Sequence, residues 1–381
     1  MPRTPAEQRN RPTGAVRHLL LTALPLLLAP MVGFGAAPPT SAPSAKGDFE
    51  GEVAVYFVTN RNRIPPADEE KPEEPEYFGD ARDDLQHGVC RVQFKNIWGL
   101  SGLKETLPFY VPLQYRRLAQ VDGLTEDAFW EQLHGDPPGP KRLVGYIHGY
   151  NISFRKGCRR AAVFQNGAGL TRRMAMFSWP SNGRTYNYTH DEADVIWSAQ
   201  HIEGFVSRLI QEAGAGQVDL VAHSLGTQGL VSALEHLACA RAWESPPIDQ
   251  LVLLAPDIDA ATFRQKVDPL RQVARHITVY ASDSDKPLKV SEEIHGYARL
   301  GQAGPDLTVL PGVETIDVSS VAAYELTGHQ YHLYHPLVTA DILQLLNTGQ
   351  SAAERPGLER RSRDGQAYWA ITGDQIITED R

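Results

Sequence analysis

The stretch that decides the fold is Ala222-His223-Ser224-Leu225-Gly226, which directly follows the apolar run Val218-Asp219-Leu220-Val221. This run predicts a buried strand, and the apolar stretch from Leu230 to Ala240 predicts a helix soon after it. Ser224 would then lie at the apex of a tight strand-to-helix turn, a geometry called a nucleophile elbow. Such a turn needs small residues two positions away on both sides, because strand and helix approach closely there. The second of these residues is glycine, and the first is alanine, one methyl group larger. The alternative is a serine that only caps a helix.

Composition limits the classes of partner. With 381 residues, of which 42% are hydrophobic, the chain can bury a large core. Its formal net charge is -9 at pH 7, and no lysine or arginine cluster lies in the body of the chain. Nucleic-acid binding requires concentrated positive charge, so we expect no nucleic-acid partner.

The N-terminus has the pattern of a targeting segment. Arginines precede an apolar stretch from Leu19 to Phe34, and small residues follow it. This pattern predicts a secretory signal over residues 1–37 and a Pro/Ala/Ser linker over residues 38–50. The apolar run approaches spanning length, so an uncleaved membrane anchor is the alternative, although Pro25 and Pro30 interrupt the run. We expect an exported protein, periplasmic or extracellular, with association to a membrane through the N-terminus left open.

The three cysteines are too few and too scattered for a disulfide framework. They are Cys90, Cys158 and Cys239. Cys239 falls in the apolar helical stretch after the elbow, where we expect a small core residue. One pair of the three could still be bridged in an oxidising compartment.

Short apolar strands alternate with helical stretches from Leu143 onward, which predicts an α/β domain over residues 51–348. Its sheet would be mostly parallel, with helices on both faces. The predicted strands are Val53–Val58, Gly88–Phe94, Leu143–Ile147, Met174–Phe177, Val218–Val221, Leu251–Leu254 and Ile277–Tyr280. The predicted helices are Phe154–Phe164, Asp191–Glu212 with Asp191 as its cap, Thr227–Ala240, Ala260–Val267, Leu288–Tyr297 and Leu337–Leu346. The tail over residues 349–381 is poorly patterned, although Tyr368–Ile377 could add a strand.

A serine nucleophile needs a base that takes its proton and a carboxylate that orients the base. In the known enzymes that carry such a serine at an elbow of this kind of sheet, the chain order is serine, acid, histidine. Asp285 follows the strand that ends at Tyr280, and His329 lies in the loop before the final helix. We therefore predict Asp285 as the acid and His329 as the base. Asp257 and Asp283 are rival acids, and Asp285 could instead only cap the helix after it.

His329 is followed by His332 and His335, a spacing that raises the question of a metal site. A spacing of three residues does not bring all three side chains to one point on a strand or a helix. The run also contains no cysteine or carboxylate. We expect no metal or other cofactor, and we expect His332 and His335 to be packing or capping groups.

A transition state with a developing oxyanion needs two fixed N–H donors. The backbone of Leu225, directly after the serine, is the first candidate. The second is the backbone of Tyr150, which follows the His148-Gly149 pair at the end of a predicted strand. The alternative for this pair is an ordinary turn that needs a glycine.

Two further segments are open to more than one interpretation. Trp179, Tyr186 and Tyr188 could line an acyl pocket or form a lid, or they could pack against the sheet edge. Leu100–Leu118 could form an extra β-hairpin or a cover.

Several ordered blocks resemble a bacterial α/β-hydrolase family that is catalogued as a domain of unknown function. The blocks are Phe57-Val58-Thr59-Asn60-Arg61, Tyr146-Ile147-His148-Gly149-Tyr150-Asn151, Phe177-Ser178-Trp179-Pro180-Ser181 and Ala222-His223-Ser224-Leu225-Gly226. The resemblance spans about Val53 to Leu346, and Asp285 and Gly328-His329 fit its later blocks. It implies the α/β-hydrolase fold and a triad of Ser224, Asp285 and His329, but no particular substrate. The elbow with alanine also resembles that of some bacterial lipases.

The leading functional hypothesis is an exported serine hydrolase of small-molecule or lipid carboxylic esters. An acyltransferase with the same triad would pass the acyl group to an alcohol instead of water. A third class is a binding protein that keeps the fold without catalysis.

Overall fold

The computed structural model describes residues 51–65, 76–96, 114–135, 142–167, 170, 173–184, 186–322 and 327–372. The predicted signal over residues 1–37 and the linker over residues 38–50 lie outside these ranges, as does most of the segment predicted as a hairpin or cover. Among the described residues, no helix combines the length and hydrophobicity needed to span a bilayer.

The described residues form strands and helices that alternate along most of the chain. The strands are β1 Gly51–Arg63, β2 Phe78–Asn96, β3 Gln114–Leu124, β4 Leu143–Ile147, β5 Arg173–Ser178, β6 Val218–His223, β7 Ile248–Leu254, β8 Ala274–Ala281, β9 Glu314–Asp317, β10 Leu358–Arg363 and β11 Gln366–Ile371. The helices are α1 Glu126–His134, α2 Phe154–Gly167, α3 Tyr188–Trp197, α4 Ala199–Ala213, α5 Gly226–Ala240, α6 Ala260–Val273, α7 Lys286–His295, α8 Ser319–Ala322, α9 Tyr331–Tyr334 and α10 Pro336–Thr348.

All these strands belong to one sheet, in the order β10-β11-β9-β8-β7-β6-β4-β5-β1-β2-β3. The central strands run parallel, from β1 through β5, β4, β6, β7, β8 and β9 to β11. Strands β2 and β3 continue from β1 as an antiparallel meander, and β10 closes the other edge antiparallel to β11. Strand β6, which precedes Ser224, therefore lies in the middle of the sheet between β4 and β7.

Helices cover both faces of the sheet, as the sequence predicts. In β6, Leu220 and Ala222 belong to one buried apolar cluster, whereas Val221 between them belongs to another. The first cluster also contains buried residues of α1, α4, α5 and α6, and the second contains those of α2 and α10. Successive residues of a strand point to opposite faces, so the two clusters are the two cores of an α/β sandwich. The predicted fold class is confirmed.

The long helix predicted over Asp191–Glu212 is wrong in one respect, because the structure divides it into α3 and α4 at Ser198. The Ser198 hydroxyl donates to the carbonyl of Asp194 at 2.7 Å and accepts from Asn60 Nδ2 at 2.9 Å. A serine that binds the carbonyl four residues earlier bends a helix. The apolar pattern continues through the break, which explains why the sequence indicates one helix.

The C-terminal tail contributes to the sheet. Its strand β11 corresponds to the segment that the sequence allowed at Tyr368–Ile377, and β10 is a strand that the sequence did not predict. The buried Arg355 guanidinium donates to Asp341 Oδ1 of α10 at 2.8 Å. A buried charge requires a partner of this kind, and the pair fixes the start of the hairpin to the domain.

A disulfide joins Cys90 of β2 to Cys158 of α2. Both cysteines are fully buried, and the bond links the antiparallel meander to the helix that follows β4. Cys239, in contrast, is exposed and not part of the core. The expectation for Cys239 was wrong because its apolar neighbours bury the opposite face of α5, and cysteine is small enough to be tolerated on the outer face.

Candidate active site

Ser224 occupies the sharp turn between β6 and α5. Its φ angle is 52°, in the left-handed region that costs a non-glycine residue about 1–3 kcal/mol. Three backbone hydrogen bonds hold it there: the Ser224 N–H donates to Leu254 O at 2.9 Å, and the Ser224 carbonyl accepts from the N–H groups of Thr227 at 3.0 Å and Asp257 at 3.2 Å. A serine that is strained and held by hydrogen bonds in this way, at the carboxyl end of a central strand, has the geometry of a nucleophile elbow.

Glycines let the neighbouring segments approach Ser224. A Cβ atom on Gly226 would lie 2.2 Å from the carbonyl oxygen of His148. A Cβ atom on Gly149 would lie 2.8 Å from the Cβ atom of Ser224. The elbow and the turn after β4 are therefore in direct contact. Ala222, the larger residue of the pentapeptide, is fully buried in the core beneath them.

His329 and Asp285 form a buried pair. The Nδ1 atom of His329 and the Oδ2 atom of Asp285 are 2.7 Å apart, and Asp285 is completely buried. The second carboxylate oxygen accepts from the N–H of Leu288 at 3.0 Å, so Asp285 also caps α7. The two roles considered for Asp285 are thus compatible. A carboxylate that is fixed in this way can hold a histidine in one orientation and one tautomer.

The segment Thr327–Gln330, which we call the histidine loop, is placed by close backbone contact. Gly328 has a φ angle of 67°, and a Cβ atom on it would lie 2.4 Å from the carbonyl oxygen of Ser284. The N–H of Lys286 donates to Thr327 O at 3.0 Å. His329 and Asp285 therefore meet because the backbones on which they stand are in contact.

The environment sets the charge of the histidine. Burial on its own would lower the pKa of His329, but the adjacent Asp285 carboxylate outweighs it and raises this pKa above the ordinary value. The neighbouring histidines behave differently. Burial lowers the pKa values of His223 and His332 well below the ordinary value, with further lowering from nearby cations.

The rival acids lie elsewhere. Asp257 Oδ1 accepts from Arg299 Nε at 2.8 Å and from Ser291 Oγ at 2.6 Å, and its Oδ2 accepts from the hydroxyl of Tyr188 at 2.7 Å. Both oxygens of the Asp257 carboxylate are therefore already bound within a structural network. Asp283 is exposed and accepts from the hydroxyl of Ser284 at 2.9 Å. Among these three aspartates, the structure brings Asp285 to His329.

The other histidines of the run serve packing and the start of a helix. The ring of His332 lies 4.3 Å, centroid to centroid, from that of His223, whose ring is 4.7 Å from that of His329. His223 also reaches the carbonyl of His329 with Nε2, at 3.1 Å. His335 is the residue before α10, where its carbonyl accepts from Thr339. The histidine loop therefore rests directly on the residue that precedes Ser224.

The turn His148–Ile152, which we call the oxyanion turn because it contains the predicted oxyanion donor Tyr150, rests on a buried carboxylate. Asn151 has a φ angle of 60°, and its N–H donates to Asp191 Oδ2 at 3.1 Å. The same carboxylate accepts from the hydroxyl of Ser181 at 2.5 Å and from the N–H of Asn182 at 3.0 Å. The expectation that Asp191 caps its helix was wrong. Asn187 precedes α3, and Asp191 instead binds the loops after β4 and β5.

Arg61 braces the same turn from the end of β1. Its guanidinium donates to the carbonyls of Ile152 at 2.7 Å, Ser181 at 2.8 Å and Gly79 at 3.0 Å, and to the hydroxyl of Ser178 at 2.9 Å. Burial lowers the pKa of Arg61 to about 9, and the nearby carboxylate of Asp191 partly offsets this effect. The arginine is thus charged at pH 7, and it joins the loops after β4 and β5 to strand β2.

Replacing Arg61 with methionine is expected to lower the free energy of unfolding by about 3 kcal/mol or more, because each buried acceptor left without a donor costs about 1–3 kcal/mol. Urea denaturation followed by circular dichroism measures the change. Arg63→Met is the matched control, since Arg63 is exposed on the same strand and should change stability by less than about 0.5 kcal/mol. Equal effects of both substitutions would contradict the bracing role of Arg61.

The aromatic residues after β5 separate into different roles. Trp179 is fully buried, stacks on the ring of His148 at 5.1 Å and donates its Nε1–H to His148 O at 2.7 Å. Tyr186 is 76% exposed. Tyr188 begins α3, and its ring lies 5.2 Å from that of Tyr150. Trp179 therefore supports the oxyanion turn from the core rather than lining a pocket, whereas Tyr188 stands beside it.

One group of side chains has the proximity of metal ligands. Ligand atoms of His190, Asp191 and Asp194 lie within 4.8 Å of one another. Asp194, however, already pairs with Arg82 at 2.7 Å, and Asp191 already receives three hydrogen bonds. These carboxylates are used by the fold, so the group does not support a metal-dependent reaction.

The sequence did not predict the roles of Arg61 and Asp191. The only signal for Arg61 was a polar triplet, Thr59-Asn60-Arg61, at the carboxyl end of a buried strand. Asp191 gave the signal of an ordinary helix start. Both act through segments far away in the chain, which a local pattern does not reveal.

Comparison with known proteins agrees with the observed fold. The model of the family "Alpha/beta hydrolase of unknown function (DUF900)" matches residues 126–348. The match includes the candidate site from the oxyanion turn to the histidine loop, while the block Phe57–Arg61 lies before it. No curated protein matches the sequence.

Two of the solved structures that match this chain are an esterase and a hydrolase. The esterase of Pyrobaculum calidifontis shares 11% identity, with 69% of this chain and 82% of that chain covered and a TM-score of 0.33. The predicted CIB-like hydrolase of Thermoplasma acidophilum shares 13% identity, with 68% of this chain and 92% of that chain covered and a TM-score of 0.31. Both likenesses are low, and the assignment rests on the family match, which covers more than half of the chain. The protein belongs to the α/β-hydrolase family of unknown function.

Proposed function

We propose that the protein is a serine hydrolase that cleaves carboxylic esters through an acyl-enzyme on Ser224. The observation that carries this proposal is the buried pair of His329 and Asp285, 2.7 Å apart. The loop of His329 rests against His223, the residue before the strained Ser224. These residue types in this order supply a nucleophile, a base and an orienting carboxylate.

The chemistry follows from these positions. His329 takes the proton of the Ser224 hydroxyl through Nε2 while the serine oxygen bonds to the acyl carbon. The resulting imidazolium gives this proton to the departing alcohol as the ester C–O bond breaks. A water molecule then attacks the acyl carbon while His329 takes its proton. The imidazolium gives this proton to the serine oxygen as the bond to the acyl group breaks, which releases the carboxylic acid and the free serine. Asp285 holds the Nδ1–H throughout and stabilises the imidazolium.

The backbone N–H groups of Leu225 and Tyr150 are the proposed oxyanion donors. Leu225 directly precedes α5, whose N-terminus favours negative charge. Tyr150 stands in the oxyanion turn, which Gly149 allows to touch Ser224. The network of Arg61, Asp191 and Trp179 fixes this turn before substrate arrives, and such preorganisation is what makes oxyanion donors effective.

A fluorophosphonate probe tests the nucleophile. We expect the folded protein to gain the mass of one probe less HF, because fluoride leaves as the serine oxygen bonds to phosphorus, and we expect peptide mapping to place the adduct on Ser224. Heat-denatured protein and Ser224→Ala are the controls and should not react. A folded protein that stays unlabelled, or one labelled at another serine, would overturn the proposal.

The pH dependence follows from the raised pKa of His329. The imidazole must be neutral to accept the serine proton, so kcat/KM should fall as the pH decreases through a pKa above the ordinary value of about 6.5. Initial rates with an uncharged nitrophenyl ester between pH 5 and 9 measure this acidic limb. A midpoint clearly below the ordinary histidine value would contradict the coupling to Asp285.

Export is a further part of the proposal. A fully buried disulfide between Cys90 and Cys158 supports it, because such bonds form and persist mainly in oxidising compartments. Cell fractionation with a C-terminal tag and N-terminal sequencing of the purified protein test both location and cleavage. Recovery from the cytosol with an intact N-terminus would refute export.

A further inference from the structure

Two cations on α2 lie between the segments that flank the proposed nucleophile. The Nζ atom of Lys156 donates to the carbonyl of Asn151, in the oxyanion turn, at 2.7 Å. One helical turn later, Arg160 donates to Oε1 of Gln330, in the histidine loop, at 2.7 Å. Residues four positions apart share one face of a helix. This face of α2 therefore carries positive charge from the oxyanion turn to the histidine loop.

Lys156 has no counter-ion in the described part of the chain. Its ammonium makes no ion pair within 4.0 Å, whereas its neighbour Arg155 pairs with Glu76 at 3.0 Å. Burial, together with the charge of Arg160, lowers the pKa of Lys156 to about 8. A nearby carboxylate would have the opposite effect. Lys156 is half-buried, so its charge is partly removed from water, and no anion among the described residues compensates it.

An ammonium of this kind can bind an anion. It carries three donors, of which Asn151 uses one. The whole protein has a formal net charge of -9, so its long-range field does not attract anions. An anionic substrate would therefore be attracted by a local cation at the site. Hydrogen bonds between charged partners are about twice as strong as neutral ones, most of all where water is partly excluded.

We propose that Lys156 binds an anionic oxygen group of the substrate, so that the preferred substrate is an ester that also carries a carboxylate or a similar anion. This inference rests on the proposed ester hydrolysis at Ser224. It names the substrate class, and it places the anionic group of the substrate on the α2 side of the site, between the oxyanion turn and the histidine loop.

Matched pairs of esters test the preference. In the acyl arm, mono(4-nitrophenyl) adipate is compared with its methyl ester, and in the alcohol arm 4-acetoxybenzoate is compared with its methyl ester. Each rate is corrected for hydrolysis in buffer. We expect kcat/KM to be about tenfold higher for the anionic member in one arm. A factor of this size is the effect expected of one charge-assisted hydrogen bond. The arm that shows the preference identifies the side of the ester that carries the anion.

Variants assign the preference to the lysine. Lys156→Met should bring the ratio of anionic to neutral ester close to one, and Lys156→Arg should keep most of it. Lys289→Met removes an exposed charge from α7 and should leave the ratio unchanged. Melting temperatures confirm that each variant folds. If the wild type shows no preference in either arm, or if Lys156→Met lowers both members of a pair equally, Lys156 only braces the oxyanion turn and the inference is overturned.

A binding measurement separates this inference from the proposed function. In the Ser224→Ala protein, ligand-observed NMR titration should show tighter binding of monomethyl adipate than of dimethyl adipate. Adding Lys156→Met should remove the difference. If the wild type hydrolyses no ester, the proposed function fails, while the titration still decides whether Lys156 binds an anion. Equal binding of the two adipates would overturn the anion site.

Discussion

Replacing Ser224 with alanine is expected to lower kcat for an uncharged nitrophenyl ester by about 10⁶-fold, to the background rate. The reason is that Ser224 is the proposed site of the acyl-enzyme, and without its hydroxyl His329 has no serine proton to accept. The side chain is 3% exposed and small, so the substitution should leave the fold intact. Stopped assays with concentrated enzyme measure the residual rate.

The control for this variant is Thr227→Ser, one turn into the same helix. Thr227 is buried, and its hydroxyl donates to the carbonyl of Ser224 at 2.6 Å, a bond that serine can keep. We expect this control to retain activity within about tenfold, since only a methyl group is lost. A Ser224→Ala protein that still hydrolyses the ester at more than a trace of the normal rate would show that the nucleophile lies elsewhere.

Replacing Asp285 with asparagine is expected to lower kcat by about 10⁴-fold, because an amide can donate to Nδ1 and so favour the wrong tautomer of His329. Asparagine keeps the shape of the side chain, and its oxygen can still accept from the N–H of Leu288. A loss of activity with an unchanged melting temperature would therefore separate the orienting role of Asp285 from its capping role.

The same substitution at the two rival acids serves as the control for Asp285→Asn. Asp283→Asn changes an exposed carboxylate only two residues away, and kcat should change by less than about twofold. Asp257→Asn removes the charge that faces Arg299 in a buried network, so its main effect should be on stability. If Asp283→Asn or Asp257→Asn reduced kcat as strongly as Asp285→Asn at full stability, the assignment of the acid would be wrong.

The sequence predicted those parts of the fold that are encoded by short, contiguous stretches of residues. The alternation of apolar strands and helices from Leu143 onward gave the parallel sheet with both faces covered, and the elbow gave the position of Ser224. The order of serine, acid and histidine led to Asp285 and His329, which the structure places 2.7 Å apart. In each case a glycine, a strand end or a spacing carried the information.

The rest depends on contacts between distant segments. Arg61 bonds to Ile152 and Ser181, which lie 91 and 120 positions away in the chain. The break at Ser198 arises from one side-chain hydrogen bond, which apolar periodicity does not register. Strand β10 carries four charged residues, and it is a strand because β11 pairs with it. Tertiary structure decides such elements, and their own sequence does not.

The close contacts at Gly149, Gly226 and Gly328 determine how this protein could acquire new specificities. At each of these positions a single methyl group would collide with a neighbouring atom at less than 3.0 Å, and two of the three neighbours are backbone carbonyls that cannot turn aside. A library for directed evolution should therefore leave these three codons fixed. Diversity belongs on side chains near the site that are not fully buried, such as the half-buried Lys156 and the exposed Tyr186, where substitutions can change which substrates bind while the proposed reacting groups keep their places.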